Sequence, residues 1–127
     1  MTIIDGVVVF RTSIFTGQAT ARSFGLFICV PEGNHEDLIK HEIQHCIDWR
    51  NDVFRYSYNY LFNWQYRLWA ELRGYAHNKD STSMITHFLN GIYNFPRTIT
   101  TNHVRALMKH CSENSWDNSK LLIESVI

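Results

Sequence analysis

The segment His41-Glu42-Ile43-Gln44-His45 narrows what this chain can become more than any other. Two histidines four residues apart on a helix lie one turn above the other, about 6 Å along the axis. Their imidazole nitrogens can then meet one Zn²⁺ at roughly 2.0–2.1 Å each. Glu42 is turned about 100° from His41, too far round to join the pair easily as a ligand. It can instead reach a water held beside them, as general base and then proton donor. A chance HExxH in a chain of this length and composition has a probability of roughly 2%.

The flanking residues predict the helix that this spacing requires. Pro31-Glu32-Gly33 stops a strand-like run, Asn34 is placed as an N-cap, and His35, Glu36 and Asp37 fill a first turn where carboxylates suit the positive helix end. The helix is expected from about His35 to Arg50. On a wheel, Ile39, Ile43, Cys46, Ile47 and Val53 gather on one side; His41, His45, Asp48 and Asp52 gather opposite, with Glu42 and Trp49 at the margin. A surface helix would carry Lys, Arg and Glu opposite its apolar stripe. Here that face holds metal-ligand types.

Around this helix the patterning predicts an α+β chain forming one domain over 1–127 with one hydrophobic core, within the usual size of a single domain. Residues 7–15 and 23–30 read as strands on either side of a turn near Gly17-Gln18. Aromatics alternate at Phe54, Tyr56, Tyr58, Tyr60, Phe62, Trp64 and Tyr66, a period of two that favours a strand. From Trp64 a helical spacing also fits, so 63–77 is expected to be helix and 54–62 an irregular or short helical connection. A loop at 78–81, a helix over 83–94, a break at Phe95-Pro96-Arg97 and a helix capped by Thr101 or Asn102 and running through His110 complete the pattern. The tail from Ser112 is left unassigned. The result is a short N-terminal sheet followed by a helical core in which the HExxH helix packs on a second helix.

A catalytic metal site needs a third protein ligand, with one position left to water. Asp48 shares the His41 face but sits roughly 10.5 Å further along the axis, so it suits a role orienting an imidazole, or solvent exposure. Glu71, on a separate helix, has no such constraint and leads as third ligand; His77 competes with it, then Asp80 or a later histidine. Tyr75, one turn from Glu71, is a candidate donor to a developing oxyanion, or else a core tyrosine. His87, His103 and His110 read as surface or packed histidines, and the aromatics of 54–66 as packing rather than a substrate wall.

His41-Glu42-Ile43-Gln44-His45-Cys46-Ile47-Asp48-Trp49-Arg50, an aromatic-rich stretch, and then Trp69-Ala70-Glu71-Leu72-Arg73-Gly74-Tyr75-Ala76 resemble the minimal gluzincins, small HExxH zinc metallopeptidases often encoded by bacteriophages. The resemblance covers about residues 23–77. It implies a zincin-like core, with His41, His45 and Glu71 as zinc ligands and Glu42 as catalytic acid/base. It further implies that Phe24–Val30 is the edge strand along which a peptide or protein substrate would lie. Gly74 stands where the family often has Ala, which leaves room but weakens the helix by about 1 kcal/mol. Residues 78–127 match no pattern of the family. A zinc-stabilised binding or virion-associated protein without turnover is the rival expectation, because so small a domain has little wall with which to grip a substrate.

Composition bounds the alternatives. Twelve basic and twelve acidic residues give a formal net charge of zero, without the basic excess expected of a nucleic-acid or anionic-membrane partner. No apolar run approaches a membrane span, and the first residues lack a signal peptide's basic n-region and apolar core. The three scattered cysteines, with no CxxC pair, argue against a disulfide framework and for a reducing compartment. The expected address is cytoplasmic, in a bacterial host if the chain is phage-encoded.

Overall fold

The computed structural model describes residues 1–12, 21–33 and 35–127. It is an α+β arrangement, a four-stranded N-terminal sheet followed, among these residues, by six helices. β1 (Thr2–Ile4) and β2 (Val7–Arg11) form an antiparallel hairpin around Asp5-Gly6, which both take positive φ, 49° and 74°. Asp-Gly favours such a turn because both central residues must enter the left-handed region. Sequence patterning places no strand before Val7; the three residues of β1 are too few to show alternation. The expected extension of β2 to Phe15, the turn at Gly17-Gln18 and the cap at Asn34 lie outside the described residues.

The run from Ser23 to Val30 is not one strand. It divides into β3 (Arg22–Ser23) and β4 (Phe27–Val30), joined by a turn at Phe24-Gly25-Leu26. Gly25 adopts φ +83°, and a Cβ there would stand 2.8 Å from the Trp49 ring, so both backbone and space require glycine. The sheet order is β1-β2-β4-β3, with β4 parallel to β2 and antiparallel to β3. The expected edge strand is therefore corrected: β4 has a neighbour on each side, and β3 holds the edge.

The helices are α1 (Glu36–Asn51), α2 (Val53–Phe62), α3 (Trp64–Tyr75), α4 (Thr82–Ile92), α5 (Thr101–Glu113) and α6 (Trp116–Val126). His35 is the N-cap of α1 and makes no side-chain cap bond, which leaves Glu36 and Asp37 to complement the helix end. Of the two expectations for 54–62, an irregular or a short helical connection, the structure has the second, the helix α2. Asp52 caps it by accepting from the Arg55 amide, and Asn63 ends it while capping α3 through the amides of Gln65 and Tyr66. Aromatics spaced by two on a helix spread around its circumference: Tyr56 turns inward while Phe54, Tyr58 and Phe62 are exposed. α5 starts with Thr100 as N-cap, not Thr101 or Asn102, because His103 completes a capping box with it; the helix runs past His110 to Glu113. The unassigned tail is α6, capped by Ser115.

The expected single core is divided into two apolar clusters, one on each side of α1. Ile39, Ile43 and Cys46 pack with Val7, Val9, Ile28 and Val30 of the sheet. The larger cluster gathers α3 to α6 around Leu68, Leu72, Leu89, Leu107 and Ile123. With its apolar stripe committed to the sheet, α1 turns its His41/His45 face toward α3 instead of solvent, and that choice creates the site. No helix among the described residues is long and apolar enough to cross a membrane.

Arg73 ties this arrangement together. Its Nε donates to Asp48 Oδ2 at 2.9 Å, and its Nη1 donates to the carbonyls of Cys111 and Asn114 at the end of α5. Asp48 thus faces neither solvent nor an imidazole: it is buried, bonded to Arg73 and to the Gln44 amide. Arg73→Ala leaves that carboxylate buried without its counter-charge, and is expected to cost about 3 kcal/mol, read as a lowered midpoint in urea unfolding. An unchanged midpoint would show that water replaces the guanidinium without loss.

Candidate metal centre

His41, Glu42 and His45 each bring a ligand atom to within 4.8 Å of the others, a group that can hold a metal ion. Helix α1 supplies all three: His41 and His45 lie one turn apart on one face, and the Glu42 carboxylate reaches their group from the margin of that face. α3 lays Glu71 across them: its Oε1 lies 3.0 Å from His41 Nε2 and 3.2 Å from His45 Nε2. Two donors held at 2.0–2.1 Å by one tetrahedral ion stand roughly 3.3 Å apart. Both distances from Glu71 Oε1 are therefore those of ligands sharing a cation.

The centre is closed. His41, His45 and Glu71 are 4%, 6% and 1% exposed, and Glu42 is 9% exposed. Burial alone would favour a neutral His45, but the charge and hydrogen bond of Glu71, aided by Glu42 and Asp48, outweigh it and raise the imidazole to about 9. Burial likewise opposes ionisation of Glu71, yet the two histidines hold its carboxyl well below the ordinary range. Glu42 is shifted the other way: burial raises it, Glu71 adds to the rise, and the histidines only partly offset them. Of two neighbouring carboxylates, one is thus held ionised and the other made the better proton acceptor.

Three tyrosines that sequence reasoning did not assign to the site surround it. Tyr60 donates to Glu71 Oε2, Tyr93 donates to Glu71 Oε1 at 2.7 Å, and the Tyr56 hydroxyl lies 3.3 Å from His45 Nδ1. Burial raises all three phenols, first among the causes, and Glu71 adds to the effect, so they are neutral hydroxyls at physiological pH. Tyr56 and Tyr60 are four apart on α2, a signal available once that segment is read as helix. Tyr93 follows α4 and carries no local signal at all.

The remaining candidates fall around this centre in different ways. Tyr75 sets its ring edge-on to His41 at 4.4 Å, while its hydroxyl lies 3.4 Å from that of Tyr93 and makes no hydrogen bond to Glu71. His77 sits 3.0 Å from the Gln44 side-chain oxygen, outside the ligand group, and Asp80 is exposed and takes the Asn78 amide. His103 serves the α5 cap, His110 contacts the Asn118 carbonyl, and His87 lies beside Phe88.

Gly74 acquires a reason that helix propensity cannot give. A Cβ at this position would stand 2.8 Å from Cδ2 and Nε2 of His41, so only glycine lets the ring lie against the backbone of α3. Gly74→Ala improves helix propensity by about 1 kcal/mol, but the overlap is expected to outweigh it by about 1–3 kcal/mol. The melting temperature should fall and metal binding weaken. A more stable variant with intact binding would mean that His41 can yield without cost. Compared with known proteins, the chain matches no family model, no curated protein and no solved structure, so its geometry alone carries the functional argument.

Proposed function

We propose that the chain is a zinc-dependent peptidase of the minimal gluzincin type, with a zincin-like core formed by α1 and α3. The observation that carries this reading is the meeting of two imidazole nitrogens from one helix with a single carboxylate oxygen from another, at 3.0 and 3.2 Å. His41, His45 and Glu71 would hold the ion, and bound zinc supplies a Lewis acid that polarises a carbonyl and lowers the pKa of water. Binding through Nε2 requires its lone pair, so His45 carries its proton on Nδ1 and donates it to Tyr56. Glu42, adjacent to the ligands but with its pKa raised, takes a proton from the attacking water and delivers it to the leaving amine of a peptide or protein substrate. The three cysteines are free and buried, which suits a reducing compartment such as a bacterial cytoplasm.

One feature favours a second reading, a zinc-stabilised binding or virion-associated protein without turnover. Neither of two surface cavities of about 310 and 300 Å³ touches His41 or His45; one lies at the start of α1, the other between Asp48, Trp69 and Trp116. Elemental analysis combined with cleavage of an unfolded protein substrate separates the readings. Stoichiometric zinc with chelator-sensitive cleavage supports the peptidase. Zinc that raises the melting temperature without cleavage supports the second reading, and absence of metal removes both.

A further inference from the structure

We infer that Tyr60 and Tyr93 fix the denticity of Glu71, so that the centre accepts one carboxylate oxygen and thereby selects a small, four-coordinate cation. The inference rests on the reading of Glu71 as a metal ligand and adds what decides how it binds. A carboxylate has two oxygens, and a cation that tolerates high coordination numbers takes both, as calcium sites do. Here the two oxygens have different surroundings. Oε2 is occupied by the Tyr60 hydroxyl from α2, whereas Oε1 alone faces both Nε2 atoms. Swinging Oε2 toward the histidines would break the Tyr60 hydrogen bond inside a side chain that is 1% exposed, where a lost bond is not replaced by water.

Tyr93 holds the carboxylate from the other side. Its hydroxyl donates to Oε1 at 2.7 Å, which opposes rotation of the carboxylate plane. It reaches the centre because the segment after α4 is pinned: Asn90 Nδ2 donates to the Ile99 carbonyl at 2.7 Å, and the Ile99 amide donates to Asn90 Oδ1 at 2.9 Å. Between these bonds the Phe95 amide donates to the Tyr93 carbonyl, and the two rings stack at 5.7 Å. The C-terminal portion of the chain, which carries no motif of its own, thereby supplies a positioning residue to the centre. The two tyrosines come from different elements and act on different oxygens, so their removal should leave different signatures.

Cobalt(II) titration of the full chain reads those signatures, since four-coordinate Co²⁺ absorbs visible light much more strongly than five- or six-coordinate Co²⁺. The wild-type protein should give the intense four-coordinate spectrum. Tyr60→Phe frees Oε2, and should lower the visible intensity as the coordination number rises. Tyr93→Phe leaves Oε2 engaged; it should keep the intense spectrum while weakening Co²⁺ and Zn²⁺ affinity about 10–100-fold, the usual cost of losing a residue that orients a ligand. Tyr58→Phe, on the exposed side of α2, serves as control and should change neither. The metal-free melting temperature and circular dichroism of each variant separate a loss of fold from a change at the metal, and Tyr60→Phe carries the test if Tyr93→Phe does not fold. Wild-type spectra and affinities in both variants overturn this inference alone. A wild-type protein that binds neither Co²⁺ nor Zn²⁺ overturns the proposed function, and this inference with it.

Discussion

Glu42→Gln is expected to keep stoichiometric zinc and the wild-type fold while lowering turnover of a peptide substrate by about 10²–10⁴-fold, the usual contribution of a positioned general base. Glutamine fills the same volume and keeps one oxygen, so the packing of a side chain only 9% exposed is conserved. What disappears is a carboxylate that accepts a proton. Glu42 suits that task because burial raises its pKa from the ordinary carboxylate value, toward the pH at which the chemistry runs. Glu71, the acidic neighbour that adds to this rise, is shifted in the opposite direction and cannot substitute at neutral pH. Measuring kcat and zinc content on the same preparation decides the matter. Retained activity at full zinc would place the base elsewhere; loss of zinc together with activity would mean that Glu42 is itself a ligand.

The parts of this molecule that were legible in the sequence are those in which residues near in sequence share one face of a helix. His41, Glu42 and His45 are such a set, and the absence of Lys or Arg from their face marked it as one of metal-ligand types; that it meets α3 instead of water was not legible. α3 was legible for the same reason, and with it Glu71 as a carboxylate free to approach from another element. α2 was legible only as one of two alternatives, because its aromatics at every second position imitate a strand and, on a helix, serve three purposes at once: Tyr60 reaches Glu71, Tyr56 reaches His45, and Phe54 and Tyr58 face solvent. The division of residues 22–30 was hidden in a glycine whose role depends on Trp49, more than twenty positions away. Tyr93 is the extreme case. Its partner is 22 residues distant, and what delivers it is an Asn90–Ile99 pairing that no local periodicity records.

Glu71→Ala is expected to abolish stoichiometric zinc and, in the metal-free protein, to remove a pH dependence of stability that the wild type should show. In the metal-free wild type, against the opposing effect of burial and with smaller help from Glu42 and Asp48, Glu71 raises His45 to about 9 from an ordinary value of 6.5. A raised histidine contributes stability in full below 6.5 and loses it as the pH rises through about 9. The shift of about 2.5 pH units sets an upper bound of about 3 kcal/mol on that loss. The depressed Glu71 has the complementary behaviour: its contribution is present above its ordinary 4.5 and lost as the pH falls below that toward its lowered value. Metal-free protein should therefore be most stable between about 4.5 and 6.5 and lose stability toward pH 9. Zinc reverses the upper limb, because an ion at Nε2 must displace the proton there, so its affinity strengthens as the pH rises toward 9. Thermal melts of metal-free and zinc-loaded protein across pH 5–9 should accordingly diverge with rising pH. In Glu71→Ala they should coincide, since the third ligand is gone, and the upper limb should flatten as the imidazole loses the largest cause of its rise. A variant that keeps its zinc would move the third ligand to another residue. A wild-type melt that is flat between pH 6.5 and 9 would show that the two imidazoles and the carboxylate do not meet in solution as they do here.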